Sequence, residues 1–140
     1  MSTEAQRWVF LADPQTYGWS ELTRDGRTVW DGISNRRAQA NLARCRPGDL
    51  VLIYHTAPDK AIVGTAKVAS SPRPDPADAA RVVVDVEPVR SLERPLPLAE
   101  LKADAILSAM SFVRMPRVAV QSVTAEQWAR VLELAGASRV

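Results

Sequence analysis

Two apolar runs of strand length, Arg7-Trp-Val-Phe-Leu-Ala12 and Leu50-Val-Leu-Ile-Tyr-His55, place hydrophobic side chains at odd and even positions alike. Strands of this kind are covered on both faces, so both are expected to be buried, the first centrally in a sheet. Asp13-Pro14 closes the first run, because the residue before a proline is steered away from helix. A turn at Ala57-Pro-Asp-Lys60 leads into Ile62-Val-Gly-Thr-Ala-Lys-Val68, which is expected to pair back in a hairpin-like unit. Gly64 inside that run marks a bulge or a close backbone approach. Arg81-Val-Val-Val-Asp-Val-Glu87 puts Val82, Val84 and Val86 on one face and Asp85 and Glu87 on the other, the pattern of a half-exposed strand that ends, or becomes an edge, at Pro88. Ser70–Ala79 holds Pro72, Pro74 and Pro76 among small residues and is predicted to be a projecting loop.

Helical spacing fills the intervals. Ser20–Asp25 is expected to form a short helix capped by Ser20 and stopped by Gly26. Val29-Trp30 ends an extended segment, and Asp31-Gly32 supplies a turn in which glycine takes a positive φ without steric cost. Ser34 is the expected N-cap of a helix that aligns Ala38, Leu42 and Cys45 on one face and stops at Pro47-Gly48. Pro95 and Pro97 introduce a helical turn from Leu98 to Lys102, and Asp104 can cap another through Met110. Thr124-Ala-Glu-Gln127 is a capping box; Trp128, Val131, Leu132 and Ala135 then recur on one helix face before Gly136. Strands that pair locally, with helices between them, predict an α+β fold: a mixed, mainly antiparallel, partly closed barrel, as one domain over residues 1–140.

Composition narrows the chemistry. Hydrophobic residues make up 46% and charged residues 24% of the chain, ordinary for a globular protein. No charged leader precedes an apolar stretch and no apolar run reaches membrane-spanning length, so neither secretion nor membrane insertion is expected, and the protein is placed in the cytoplasm, with the nucleoid, or in the nucleus. A single cysteine, Cys45, excludes an internal disulfide and a cysteine-based zinc site, and a single histidine, His55, lacks partners for metal binding. Neither a phosphate-cradling glycine pattern nor a nucleophile elbow is present, so no cofactor and no catalytic motif are expected.

Charge is concentrated rather than general. Ser34–Arg46 contains Arg36, Arg37, Arg44 and Arg46 and no acid; this segment carries +4 in a chain of net +2, so the remainder is net negative. A phosphate suits such a place, and Trp30 lies one turn away. Trp30 either packs in the core or offers its face to a base. Tyr17 and Trp19, in a turn-rich stretch, either cover the core or line a cleft. Asp13 either caps a turn or accepts a hydrogen bond from an exocyclic amine.

The segment Trp30-Asp31-Gly32-Ile33-x-Asn35-x-x-Ala38-x-x-Asn41-Leu42, followed by Pro47-Gly48-Asp49-Leu50 and Tyr54-His55, resembles the signature of the EVE domain, a member of the PUA-like superfamily related to YTH and PUA domains. Asp13-Pro14-x-x-Tyr17-x-Trp19-x-x-Leu22 is similar to the family's early segment. Val113-Arg114-x-Pro116-Arg117-Val118-x-Val120-Gln121 is similar to its late strand, read here as Ser111–Val123. The sequence departs from the family pattern at Ala12-Asp13, Arg36 and Arg37.

The resemblance implies a compact PUA-like pseudobarrel whose pocket accepts a flipped, modified base such as a methylated or hydroxymethylated cytosine, in DNA or RNA. On that reading Asp13, Tyr17, Trp19, Trp30, Gly32, Ile33, Asn35 and His55 form the pocket. Trp30 stacks, the backbone of Gly32 and Ile33 and the Asn35 side chain read the base edge, and His55 is a pocket wall. Arg36 and Arg37 hold the phosphate backbone, joined by Arg114 and Arg117 from the late strand. Two other classes stay open: a nucleotide- or nucleic-acid-processing enzyme using His55 with Asp13 or Asp31, and a regulatory pocket for a small metabolite. Which base is read, whether it sits in DNA or RNA, and the oligomeric state are open at this point.

Overall fold

A computed structural model describes residues 5–136. Among the described residues seven strands and five helices follow one another: β1 Arg7–Ala12, α1 Trp19–Asp25, β2 Thr28–Trp30, α2 Arg36–Leu42, β3 Leu50–His55, β4 Ala61–Val68, β5 Arg73–Asp75, β6 Asp78–Pro97, α3 Leu98–Ala103, α4 Ser111–Arg114, β7 Val120–Ser122 and α5 Ala125–Ala135, with a 3₁₀ turn at Leu107–Ala109. The main path of the sheet runs β2-β6-β4-β3-β1-β7, with β5 paired to β6. Every pairing is antiparallel except β1 with β3, so the mixed, mainly antiparallel α+β pseudobarrel expected from the pattern is the architecture found.

Doubly apolar β1 lies between β3 and β7, and its alternation explains why. Trp8, Phe10 and Ala12 enter one core with Ile53, Val84, Val86 and Val120, while Val9 and Leu11 enter a second with Leu52, Ile62, Leu96 and the inner faces of α3 and α5. α5 starts as expected, with the Thr124 hydroxyl accepting the Gln127 N–H and Gln127 Oε1 accepting the Thr124 N–H, and it ends at Gly136 in the left-handed region. Trp128 is buried in the second core.

Four expectations are corrected. The first helix begins at Trp19 rather than after Ser20: Glu21 Oε1 accepts the Gly18 N–H, so Gly18 occupies the cap position. The central helix is capped by Asn35, not Ser34, because the Asn35 side chain accepts the Ala38 N–H at 2.9 Å; it ends at Leu42, leaving Cys45 beyond it but still buried. The Pro-rich stretch is not a bare loop, since β5 forms a hairpin with β6, and β6 runs through Pro88 and Pro95 to Pro97. Prolines survive there because the β4–β6 ladder shifts register twice, relieving positions that cannot donate. Residues 111–123 are not one strand: α4 and a turn come first, and only Val120–Ser122 pairs.

Gly64 shows both features expected of it. The β3–β4 register shifts beside it, and a Cβ on Gly64 would stand 2.5 Å from the Trp19 indole, whose Nε1 donates to Ser91 Oγ at 2.7 Å. Gly64→Ala is therefore expected to destabilise the fold by about 1–3 kcal/mol, as overpacking does, which a urea titration would read as a lower midpoint at unchanged slope. Burial, with a smaller contribution from Asp49, pushes the Cys45 thiol up to about 12. It should resist a disulfide reagent at pH 8 in the native protein and react only on denaturation, as thiol titration with and without guanidinium will show.

At the far end of α2 a buried carboxylate gathers the chain. Asp49, 3% exposed, accepts the Gln6 and Arg46 N–H groups, Gln6 Nε2 and Trp8 Nε1 at 2.9–3.0 Å.

Candidate functional site

The barrel does not close. β2 is one edge of the curled sheet and β7 the other, and β2 together with Ala119, the residue before β7, lines one hollow of about 690 Å³. Leu11 and Ala12 end β1 against it; Asp13, Thr16 and Tyr17 form one wall; Thr28, Val29 and Trp30 of β2 form another; Asp31, Gly32 and Ile33 follow β2 along it; and Ala119 approaches from just before β7. This volume lies within the roughly 300–1,000 Å³ typical of small-ligand sites, and the hollow is partly open to solvent.

Trp30 has both of the roles weighed for it. The residue is only 8% exposed and its ring tilts against Phe10 at a centroid distance of 5.6 Å, yet it also forms a cavity wall. Gly32 turns the chain at φ +76°, and no atom lies within 4 Å of the position a side chain would take, so the turn borders open space. The Ile33 carbonyl accepts Gln39 Nε2, which fixes the turn to α2.

The polar groups of the wall are largely acceptors already tied to their own turn. Asp13 Oδ1 accepts the Gln15 N–H and Oδ2 accepts the Thr16 hydroxyl, so this carboxylate caps a turn while lining the cavity. The Tyr17 hydroxyl donates to Asp25 Oδ2 at 2.7 Å; desolvation is the largest influence raising its pKa.

Of the eight residues expected to form the pocket, Asp13, Tyr17, Trp30, Gly32 and Ile33 meet at this cavity. The other three do not line it. Trp19 turns away to cover Gly64, Asn35 commits its side-chain oxygen to the α2 cap, and the His55 ring sits at the start of α1. His55 Nε2 accepts the Trp19 N–H and Nδ1 faces Asp59 Oδ2, both at 2.9 Å, so neither ring nitrogen is free for acid–base work with Asp13 or Asp31. Thr16, Thr28, Val29 and Ala119 escaped the sequence reading. They are small residues from three segments with no shared motif, and only the curl of the sheet unites them.

The arginines lie outside the hollow. Arg37 Nη1 stands 3.1 Å from Met115 Sδ, which brings the first turn of α2 against the segment carrying Arg114 and Arg117. Arg36, Arg37, Arg114 and Arg117 are all exposed and enter no ion pair among the described residues, whereas Arg27, Arg73, Arg94 and Arg130 are each matched to acids elsewhere. Arg44 and Arg46 sit at the other end of α2, Arg44 over Trp8 and Arg46 beside Asp49. Beyond Gly32 a second hollow is lined by Asp31, Asp75, Asp78 and Arg81, with Arg81 paired to Asp78, so that rim is net negative. No group of histidine, cysteine and acids among the described residues could hold a metal ion, and no described helix is long and apolar enough to cross a membrane.

The EVE domain model matches residues 6–134. The solved structure of Rpa0253 from Rhodopseudomonas palustris is 32% identical, covers 94% of each chain and superposes with a TM-score of 0.90. Atu2648 from Agrobacterium tumefaciens is 28% identical over 97% of each chain, with a TM-score of 0.93. Human THYN1, solved in complex with 5-methylcytosine containing DNA, shares the fold at 22% identity and a TM-score of 0.83, covering 94% of this chain and 98% of its own. No curated protein matches the sequence at a significant level. With a family model spanning nearly all of the described residues and the open seam where the signature Trp30-Asp31-Gly32-Ile33 lies, the chain belongs to the EVE domain family.

Proposed function

We propose that this protein binds nucleic acid and takes an extruded, modified base, a methylated or hydroxymethylated cytosine, into the seam between β2 and β7. The observation that carries the reading is the cavity itself: a hollow of base-accepting size walled by the Trp30 indole, with exposed arginines on neighbouring elements that enter no ion pair among the described residues. The DNA complex of human THYN1, which has the same fold, supports it.

The energetics require both parts. Extracting a base from a duplex costs a few kcal/mol, and stacking on one aromatic returns about 1–3 kcal/mol. Those contributions nearly cancel, so net affinity comes from phosphate contacts. Arg36, Arg37, Arg114 and Arg117 supply them, and the acidic rim at Asp75 and Asp78 disfavours a backbone path on that side. Asp13 and Asp31, as acceptors, suit a base edge that presents an exocyclic amine.

Neutralising about three or four phosphates gives a slope near −3 for log K against log salt on duplex DNA, roughly sixtyfold between 50 and 200 mM. Titration of labelled oligonucleotides, with and without 5-methylcytosine, at those two concentrations tests the reading. The modified strand is expected to bind more tightly at both, and an Arg36→Ala/Arg37→Ala variant to lose affinity for both strands with a flatter slope. Equal affinity for the two strands would reduce the protein to a nonspecific basic surface.

A further inference from the structure

We infer that His55, buried outside the cavity, is a positioning residue that holds the cavity's Tyr17 wall in place through the backbone of Trp19. Asp13, Thr16 and Tyr17 belong to that wall, and hydrogen bonds pin the segment at both ends. At one end the Ala12 carbonyl accepts the Thr56 N–H and the Asp13 carbonyl accepts the Thr16 and Tyr17 N–H groups, at 2.9–3.0 Å. At the other end, His55 Nε2 accepts the Trp19 N–H.

A backbone N–H can only donate, so Nε2 must be the unprotonated nitrogen and the proton belongs on Nδ1, facing the Asp59 carboxylate. Asp59 thereby fixes the tautomer. The fit is close: His55 is 8% exposed, and a Cβ added at Gly18 would meet Nε2 at 3.2 Å. Glycine at 18 lets the imidazole reach the amide. Trp19 is held a second time by its indole, which donates to Ser91 and covers Gly64, so its ring is spent on structure and its amide transmits the position of β3 to the wall. This explains why the only histidine stands beside the cavity without entering it.

The inference concerns the wall's geometry, and only its affinity arm rests on the proposed function. The test uses the full chain as His55→Gln, whose side-chain oxygen can still accept, His55→Leu, which cannot, and Asp59→Ala, an exposed change that leaves the imidazole but frees its tautomer. Two quantities are read: hydrogen exchange at the Trp19 amide without ligand, and affinity for a 5-methylcytosine oligonucleotide. His55→Leu should speed Trp19 exchange and weaken binding, each by about tenfold, His55→Gln should restore both to within about twofold, and Asp59→Ala should lie between. Wild-type exchange and affinity in His55→Leu, or in Asp59→Ala should the leucine variant not fold, would overturn the assignment, as would a glutamine variant no better than leucine. If the oligonucleotide binds no variant, wild type included, while Trp19 exchange follows the expected order, the proposed function fails and the positioning role stands.

Discussion

Asp49→Ala is expected to cost about 3–5 kcal/mol of folding free energy, although Asp49 lies at the opposite end of α2 from the cavity. The carboxylate is buried and accepts four hydrogen bonds, from two backbone amides, the Gln6 amide and the Trp8 indole. Truncation leaves all four donors without that acceptor, and the Trp8 indole, buried at its Nε1, has little access to water. Asp49→Asn keeps the shape but turns an NH₂ toward some of these donors, so it should fall between wild type and alanine. Urea midpoints for the three proteins check the order, and a shift under about 1 kcal/mol for alanine would mean that the four bonds are replaced by solvent.

Trp30→Ala should cost about as much, 3–5 kcal/mol by the usual scale for large aromatic truncation, because the indole packs on Phe10 in the inner core. It should also abolish measurable base recognition. Trp30→Phe separates the two effects. A phenyl ring keeps much of the packing, so stability should fall by less than half as much, while the smaller face should weaken modified-oligonucleotide binding by roughly tenfold, within the 1–3 kcal/mol of a stacked base. Calorimetry gives the first number and titration well below the unfolding temperature gives the second. If Trp30→Phe binds as wild type does, the indole is core alone.

Much of the scaffold was legible because its signals are local. The double-faced apolar runs of β1 and β3, the Thr124 capping box and the glycines after α1 and α5 each state their own conformation within a few residues. Errors arose where two neighbours could satisfy the same need. Ser34 and Asn35 are both good caps, and packing of Ala38 and Leu42 chooses the register that uses Asn35. Pro88 reads as a stop, yet a bulged ladder carries β6 past it.

The site was half legible. Trp30, Gly32 and Ile33 sit in one contiguous motif, so their meeting at the cavity needed only a turn. The family resemblance assigns Trp19 and His55 to the pocket, while their residue types alone fit the core equally well. The hydrogen bond between them, joining residues 36 apart, is invisible in sequence and gives both a supporting place instead. Ala119 is the counterexample: nothing about an alanine before β7 announces a cavity wall until the sheet curls and brings it to the same hollow as β2.

The claim that a base enters the seam between those edges is tested most directly by mapping amide and indole resonances during titration with a 5-methylcytosine oligonucleotide. The largest perturbations are expected on Tyr17, Trp30, Gly32, Ile33 and Ala119, with Arg36, Arg37, Arg114 and Arg117 shifting for modified and unmodified strands alike. Perturbations confined to the arginines, or centred on α5, would contradict that claim.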